Sequence, residues 1–159
     1  MGTVEMESTP VACTAQQKMS NAYVPMSATI VERIEETPGI FTWKLRFDKS
    51  RDRAAFSYNA GQFNMVYLFG IGEVAISIMG SDGDCFLHTI QAVGRVTNAM
   101  ANLSVGARVG VRGPYGQGWP MVQSKSRDLV FVTGGLGSAP VISAIREAIA
   151  HRDDYGRIV

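Results

Sequence analysis

One stretch of this chain combines residue types and a spacing that could grip a phosphate. Gly134-Gly135-Leu136-Gly137-Ser138-Ala139-Pro140 follows the apolar run Leu129-Val130-Phe131 and opens a helix-patterned segment. Glycines at 135 and 137 allow the backbone close to a pyrophosphate, whose charge is favoured by the exposed N–H groups and dipole of the following helix. The spacing is Gly-x-Gly-x-x-Pro, so Pro140 stands where a dinucleotide fingerprint carries its third glycine, and a plain tight turn is the alternative. A complete dinucleotide site needs a second strand, often with an acidic residue about twenty residues further on. The chain ends at Val159, about that far from the turn, so it reads as the start of a nucleotide-binding domain cut short.

Other reactive residues are scattered. Cys13 and Cys85 lie far apart without metal-ligand spacing and read as free, reduced thiols, with no metal site expected. His88 falls in a strand pattern. His151 falls near a helix end, where a positive ring would complement the dipole. Neither histidine stands in a catalytic constellation.

The elements that must position the turn follow from patterning. Residues 1–24 mix Ser, Thr, Gln, Met and Pro without period and read as a mobile tail. Short strand patterns then run at 28–33, 41–47, 63–69, 74–79, 86–93 and 108–111, separated by turn signals such as Thr37-Pro38-Gly39 and Gly113-Pro114-Tyr115-Gly116. Six strands in about eighty residues predict a mainly β fold, a closed antiparallel Greek-key barrel. Thr97 reads as the N-cap of a short helix over 98–103.

Beyond Trp119-Pro120 and a polar stretch comes an apolar strand expected to be buried on both faces. A helix follows from Pro140 to about Arg152, with Val141, Ile142, Ala144, Ile145, Ala148 and Ile149 as its apolar stripe. The organisation read from this is a barrel domain over 25–122 and an incomplete α/β unit over 127–159.

Composition narrows the partners. The 46% apolar and 18% charged fractions are those of a globular chain, and a net charge of +1 argues against nucleic acid or anionic lipid. No apolar run reaches the roughly 20 residues of a membrane span, and no secretory signal pattern opens the chain. A cytoplasmic protein with a small-molecule ligand is expected.

A second set of segments acts together: Gly61-Gln62-Phe63, Val74-Ala75-Ile76-Ser77-Ile78, Ile90-Gln91-Ala92-Val93-Gly94-Arg95-Val96-Thr97 and Gly113-Pro114-Tyr115-Gly116. Their order and spacing, with the Gly-rich turn, resemble the flavin domain of the ferredoxin–NADP reductase superfamily. The resemblance is closest to its branch of nickel-iron hydrogenase and sulfhydrogenase gamma subunits and dihydroorotate dehydrogenase electron-transfer subunits, and runs from about residue 24 to the end.

The resemblance implies an FAD site. Val74, Ala75, Ile76 and Ser77 occupy the strand that lies along the flavin, with Ser77 near N5 as the candidate catalytic residue and Ile76 packing on the ring. Ile76 reads equally as barrel core. Val74 replaces the arginine that usually neutralises the pyrophosphate; Arg95, in the matching Gly94-Arg95-Val96-Thr97 turn, compensates or is simply a surface charge. Ile90, Gln91 and Ala92 would pass the ribityl chain and ring edge with their backbone groups.

Gly134, Gly135, Leu136, Gly137, Ser138, Ala139 and Pro140 would receive NAD(P)H. In this branch a [2Fe-2S] cluster sits on cysteines beyond the nucleotide domain, and neither Cys13 nor Cys85 could replace its four thiolates. The implied function is flavin-mediated electron transfer between NAD(P)H and an iron–sulfur or hydrogenase partner. The alternative is a non-catalytic barrel module that docks a larger complex and has lost flavin binding.

Overall fold

The computed structural model describes residues 23–159. The expected tail therefore lies outside the described residues, as does Cys13, except for the exposed Tyr23 and Val24.

Seven strands form the barrel. β1 (Met26–Thr37) and β2 (Ile40–Phe47) make a hairpin across the Pro38-Gly39 turn, where Gly39 takes a φ of +77°. A left-handed residue at that point suits glycine because it has no Cβ to clash. In β2 the alternate residues Phe41, Trp43, Leu45 and Phe47 are all buried, as the period-2 pattern predicts. Each large side chain so buried contributes about 1.5–3 kcal/mol.

β3 (Phe63–Leu68), β4 (Gly72–Ser77), β5 (Gly80–Asp82), β6 (Cys85–Gln91) and β7 (Arg108–Tyr115) complete the sheet in the order β4-β3-β7-β1-β2-β6-β5, with every neighbour antiparallel. β4 and β5 stand at opposite ends of that order, yet only Ile78 and Met79 separate them in the chain. The sheet therefore closes on itself. The Ile78 amide donates to Gln62 O at 2.9 Å and the next amide, of Met79, donates to Leu87 O at 3.0 Å, so successive residues bond opposite neighbours. The strand expected over 74–79 is β4 and ends at Ser77, and β5, beyond that range at Gly80–Asp82, is a further strand, so the barrel has seven strands where six were expected. A curved strand at a barrel corner changes partner, and its ladder breaks at that point.

Two helices decorate the barrel. α1 (Ser50–Ala55) buries no residue, which is why no apolar period announced it; Arg53 ties it to the Phe47 carbonyl at 2.6 Å. α2 spans Arg95–Ala101 and not 98–103. Gly94 is its N-cap, and Thr97 stands in the first turn with a buried side chain. Thr97 is therefore no N-cap: its Oγ1 reaches back to accept from the amides of Val93 and Gly94, at 3.1 and 2.9 Å.

The C-terminal stretch departs further from expectation. Leu129 and Ile158 form one parallel bridge, but Val130 is 69% and Val132 89% exposed, so this segment is not buried on both faces. Among the described residues it has the 157–159 segment beside it and nothing over those two valines. α3 (Ser138–Ala150) buries Ala139, Ser143, Ala144 and Ala148, while Ile149 of the expected stripe is exposed. Its small residues pack with Ala60, Met121 and Tyr155 in a second, minor core.

The seam between α3 and the barrel is polar. Gly61 N donates to Ser143 Oγ at 3.0 Å and Trp119 Nε1 donates to the Pro140 carbonyl at 3.1 Å. A Cβ on Gly61 would lie 2.5 Å from Trp119 Cδ1 and 2.9 Å from the Trp119 backbone nitrogen, at a φ of +91°. Gly61→Ala is expected to cost about 2 kcal/mol or more through combined clash and strain. Thermal melting checks this, with a drop of several degrees expected.

Candidate functional site

The site is built around the corner where the chain leaves β4. Ser77 ends that strand, paired with Phe63 of β3 on one side. On the other side the backbone of β6 has already turned to β5, and a side chain takes its place: His88 of β6 has Nδ1 2.8 Å from the Ser77 carbonyl. Its Nε2 lies 3.2 Å from Asn64 Nδ2 on β3. Both residues are fully buried, with the Phe86 ring edge-on to the imidazole at 5.5 Å.

Burial pushes the His88 pKa down from 6.5 to about 4, against the opposing pull of the Ser77 bond. A neutral ring with two such neighbours has one consistent tautomer: Nδ1–H donates to the carbonyl and Nε2 accepts from the amide. By sequence alone His88 stands isolated. The available signal was a polar residue at an inward position of each strand, His88 between Phe86 and Ile90, and Asn64 ahead of Val66 and Leu68.

The remaining residues of β4 divide by face. Ile76 is buried in the barrel core and Val74 packs against it, whereas Ala75 is exposed and Ser77 half-buried. Ile76 as core is thus the reading the packing supports; its side chain does not face outward toward a ring.

The α2 turn lies beside the start of β4. Arg95 Nη2 donates to the Ile71 carbonyl at 2.6 Å, and a Cβ on Gly72 would lie 3.4 Å from Val96 Cγ2 and 3.6 Å from Arg95 Nη2. The Thr97 hydroxyl is fully committed, accepting twice and donating to Gly94 O at 3.2 Å, so it shapes the turn. That leaves the first-turn amides of Arg95 and Val96, which have no partner within the helix. The turn can offer these two N–H groups and one guanidinium to an anion.

Past Met79 a cleft of about 360 Å³ joins the barrel to the Gly-rich turn, lined by Glu36, Ile40, Met79, Thr89, Leu136 and Ala139 among others. Thr42 donates to Glu36 Oε1 at 2.7 Å and shares a 2.8 Å bond with Thr89, whose hydroxyl lies 3.0 Å from Met79 Sδ. Leu136 and Ala139 belong to the turn singled out in the sequence, whereas Glu36, Ile40, Met79 and Thr89 carry no motif that would mark them. Of the predicted neighbours, Ile90 is fully buried, Gln91 is exposed, and the Ala92 amide donates to Gly39 O at 2.8 Å.

At the turn itself, Gly135 takes a φ of +54°, and a Cβ on Gly134 or Gly135 would meet nothing within 4 Å. Their backbone faces open space. Gly137 differs, with an ordinary helical φ of −58°. A short 3₁₀ turn, Gly135–Gly137, runs straight into α3, and Ser138 Oγ donates back to Gly135 O at 2.9 Å. Pro140 lies in the first turn of α3, as expected.

A larger cleft of about 520 Å³ lies along the opposite flank of α3, between Phe56, Gly80, Arg146 and Glu147, and touches none of the predicted site residues. Its size does not recommend it, because it contains neither helix-start amides nor a Gly-rich turn. Among the described residues no three of His, Cys, Asp and Glu converge to hold a metal. Cys85 is a buried free thiol whose pKa is raised, first by burial.

No protein-family model matches the chain. Individual proteins do. It is 39% identical over 117 residues to the "Probable dihydroorotate dehydrogenase B (NAD(+)), electron transfer subunit" of Methanocella arvoryzae, covering 74% of this chain and 41% of that one. It is 36% identical over 130 residues to the sulfhydrogenase 1 subunit gamma of Pyrococcus furiosus, covering 80% and 44%. The chain thus spans less than half the length of these relatives.

Among solved structures, the ferredoxin–NADP+ reductase of Plasmodium falciparum matches with a TM-score of 0.67 at 18% identity, covering 84% of this chain and 56% of that one. The flavohemoglobin of Malassezia yamatoensis with bound FAD and heme matches at 0.70 and 19%, covering 85% and 37%. The resemblance seen in the sequence motifs is borne out in sequence and in fold: the barrel is that of ferredoxin–NADP reductase-like proteins.

Because His88 is held neutral, the folded chain binds fewer protons than the unfolded chain between pH 6.5 and about 4. Its folding stability is therefore expected to be full above pH 6.5 and to fall with pH through that window, by about 3 kcal/mol at most. Urea unfolding at pH 7.5 and 4.5 measures this. His88→Asn should flatten the slope, and an unchanged slope would assign the acid sensitivity to other groups.

Proposed function

We propose that this chain is the flavin-binding part of an NAD(P)H-linked electron-transfer subunit, serving an iron–sulfur or hydrogenase-like complex in the cytoplasm. Residues 25–122 form the FAD domain, and 127–159 the start of an NAD(P)-binding α/β domain. The observation that carries the reading is the meeting of β4 with the first turn of α2, at Gly72, Arg95 and Val96. Sequence likeness to electron-transfer subunits supports the same conclusion.

The residues fit an FAD. The amides of Arg95 and Val96 are donors without helix partners, and the Arg95 guanidinium supplies from α2 the positive charge that Val74 cannot supply from β4. Ser77 offers a half-buried hydroxyl at the end of the same strand. The cleft past Met79 leads from there to Gly134–Pro140, whose bare backbone suits the phosphates of NAD(P)H. When bound, a flavin supplies the conversion between two-electron hydride and single-electron chemistry.

This chain's own residues hold and orient: Arg95 and Val96 anchor the phosphate end, and Ser77 meets the ring edge. A [2Fe-2S] cluster belongs to a region outside this chain, and the partner subunits receive the electrons there.

A second reading, a barrel that docks a complex without flavin, is favoured by one observation, the valine at 74. Titration separates the two. The chain is expected to turn yellow and quench flavin fluorescence with FAD. Arg95→Ala should weaken FAD about tenfold or more, the loss of a charge-assisted bond, with less effect on riboflavin, which has no phosphate. A protein that stays colourless in excess FAD would support the docking module.

A further inference from the structure

We infer that His88 is a positioning residue for the flavin site: with Asn64 behind it, it holds the Ser77 carbonyl and thereby sets where the Ser77 hydroxyl stands. The inference rests on the flavin reading and deepens it.

Three observations converge. First, the Ser77 carbonyl sits at the barrel corner, where the chain exchanges β3 for β6; the following amides of Ile78 and Met79 bond opposite neighbours. The ladder supplies no backbone donor from β6 there, so the His88 ring bridges the gap at 2.8 Å. A carbonyl left unbonded at that corner would let the end of β4 shift.

Second, the ring cannot move. Asn64 holds its other nitrogen, Phe86 packs edge-on against it, and both polar side chains are fully buried. An aliphatic side chain would fill this inward position of β6 at no cost in desolvation, so an imidazole here is explained by what it bonds. Third, the strut lies next to the cleft wall: Thr89 follows His88 and bonds Met79, two residues after Ser77. It joins the strand proposed to meet the flavin to the wall of the cleft that leads to the Gly-rich turn. Hydrogen bonds around a flavin ring tune its electronics, so a displaced Ser77 changes the cofactor's potential as well as its affinity.

The test compares wild type with His88→Asn and His88→Gln. Asparagine carries its amide nitrogen near the place of Nδ1 and keeps a donor for Ser77; glutamine carries it near Nε2, toward Asn64. FAD affinity, flavin absorbance band positions and midpoint potential are measured on each, with melting curves of the flavin-free forms.

The positioning role predicts that H88N stays within about twofold of wild type in affinity with an unchanged spectrum and potential. H88Q should bind FAD about tenfold more weakly with both readouts displaced. Two variants both like wild type would overturn the role, as would two variants equally impaired, which marks His88 as packing alone. A wild type that binds no FAD removes the flavin reading itself and this inference with it. Should neither variant fold, ring ¹⁵N shifts of His88 in wild type decide: an Nδ1–H tautomer whose signals move on adding FAD upholds the strut, and signals unmoved by saturating FAD overturn it.

Discussion

A closed sheet has to satisfy its backbone at the point where one strand leaves its first neighbour for its last, and in this chain that constraint falls on Ser77, Ile78 and Met79. The amides on either side of the switch bond Gln62 and Leu87. The Ser77 carbonyl just ahead of them is taken by a buried imidazole. The site hangs on this corner, because it fixes the end of β4 at Ser77 and adjoins the cleft past Met79, while the other end of the same strand lies beside the first turn of α2.

The polar residues at the corner are few and individually unremarkable. Their effect comes from burial: a neutral histidine and an asparagine inside an apolar barrel each make a bond that fixes strand geometry more narrowly than packing does. Outside the barrel the balance reverses. Arg95 and the Gly134–Gly135 backbone are open to solvent, so their capacity to hold anions depends on helix-start amides and on charge, which salt would weaken. One site thus joins a rigid corner to adaptable ends.

Much of the barrel was legible because its signals are local. Alternation in Phe41, Trp43, Leu45 and Phe47 marked β2, and Thr37-Pro38-Gly39 marked the hairpin turn. The break at Ile78 was not legible, since Val74 to Met79 alternates smoothly and the switch depends on Gln62 and Leu87, remote in sequence. The His88–Asn64 pair spans 24 residues and carries no motif. Thr97 was visible as a helix-start residue, but its side chain bonds backward from the first turn where a cap was expected, so the helix starts three residues earlier than the pattern predicted. Val130 and Val132 have the composition of a two-sided strand, and burial of that kind needs neighbours that a local pattern cannot guarantee. The Gly-rich turn was legible from its own residues, whereas the flavin segments were legible only through resemblance, because the arginine that would have marked them by charge is replaced by Val74.

The most direct test of the account maps where FAD touches the protein, by following backbone amide NMR signals of the ¹⁵N-labelled chain through a titration. Saturable shifts are expected at Arg95 and Val96 beside the start of β4 and at Ser77 at its end. Shifts centred instead on Phe56, Gly80 and Arg146 around the larger cleft, or none at saturating FAD, would contradict it.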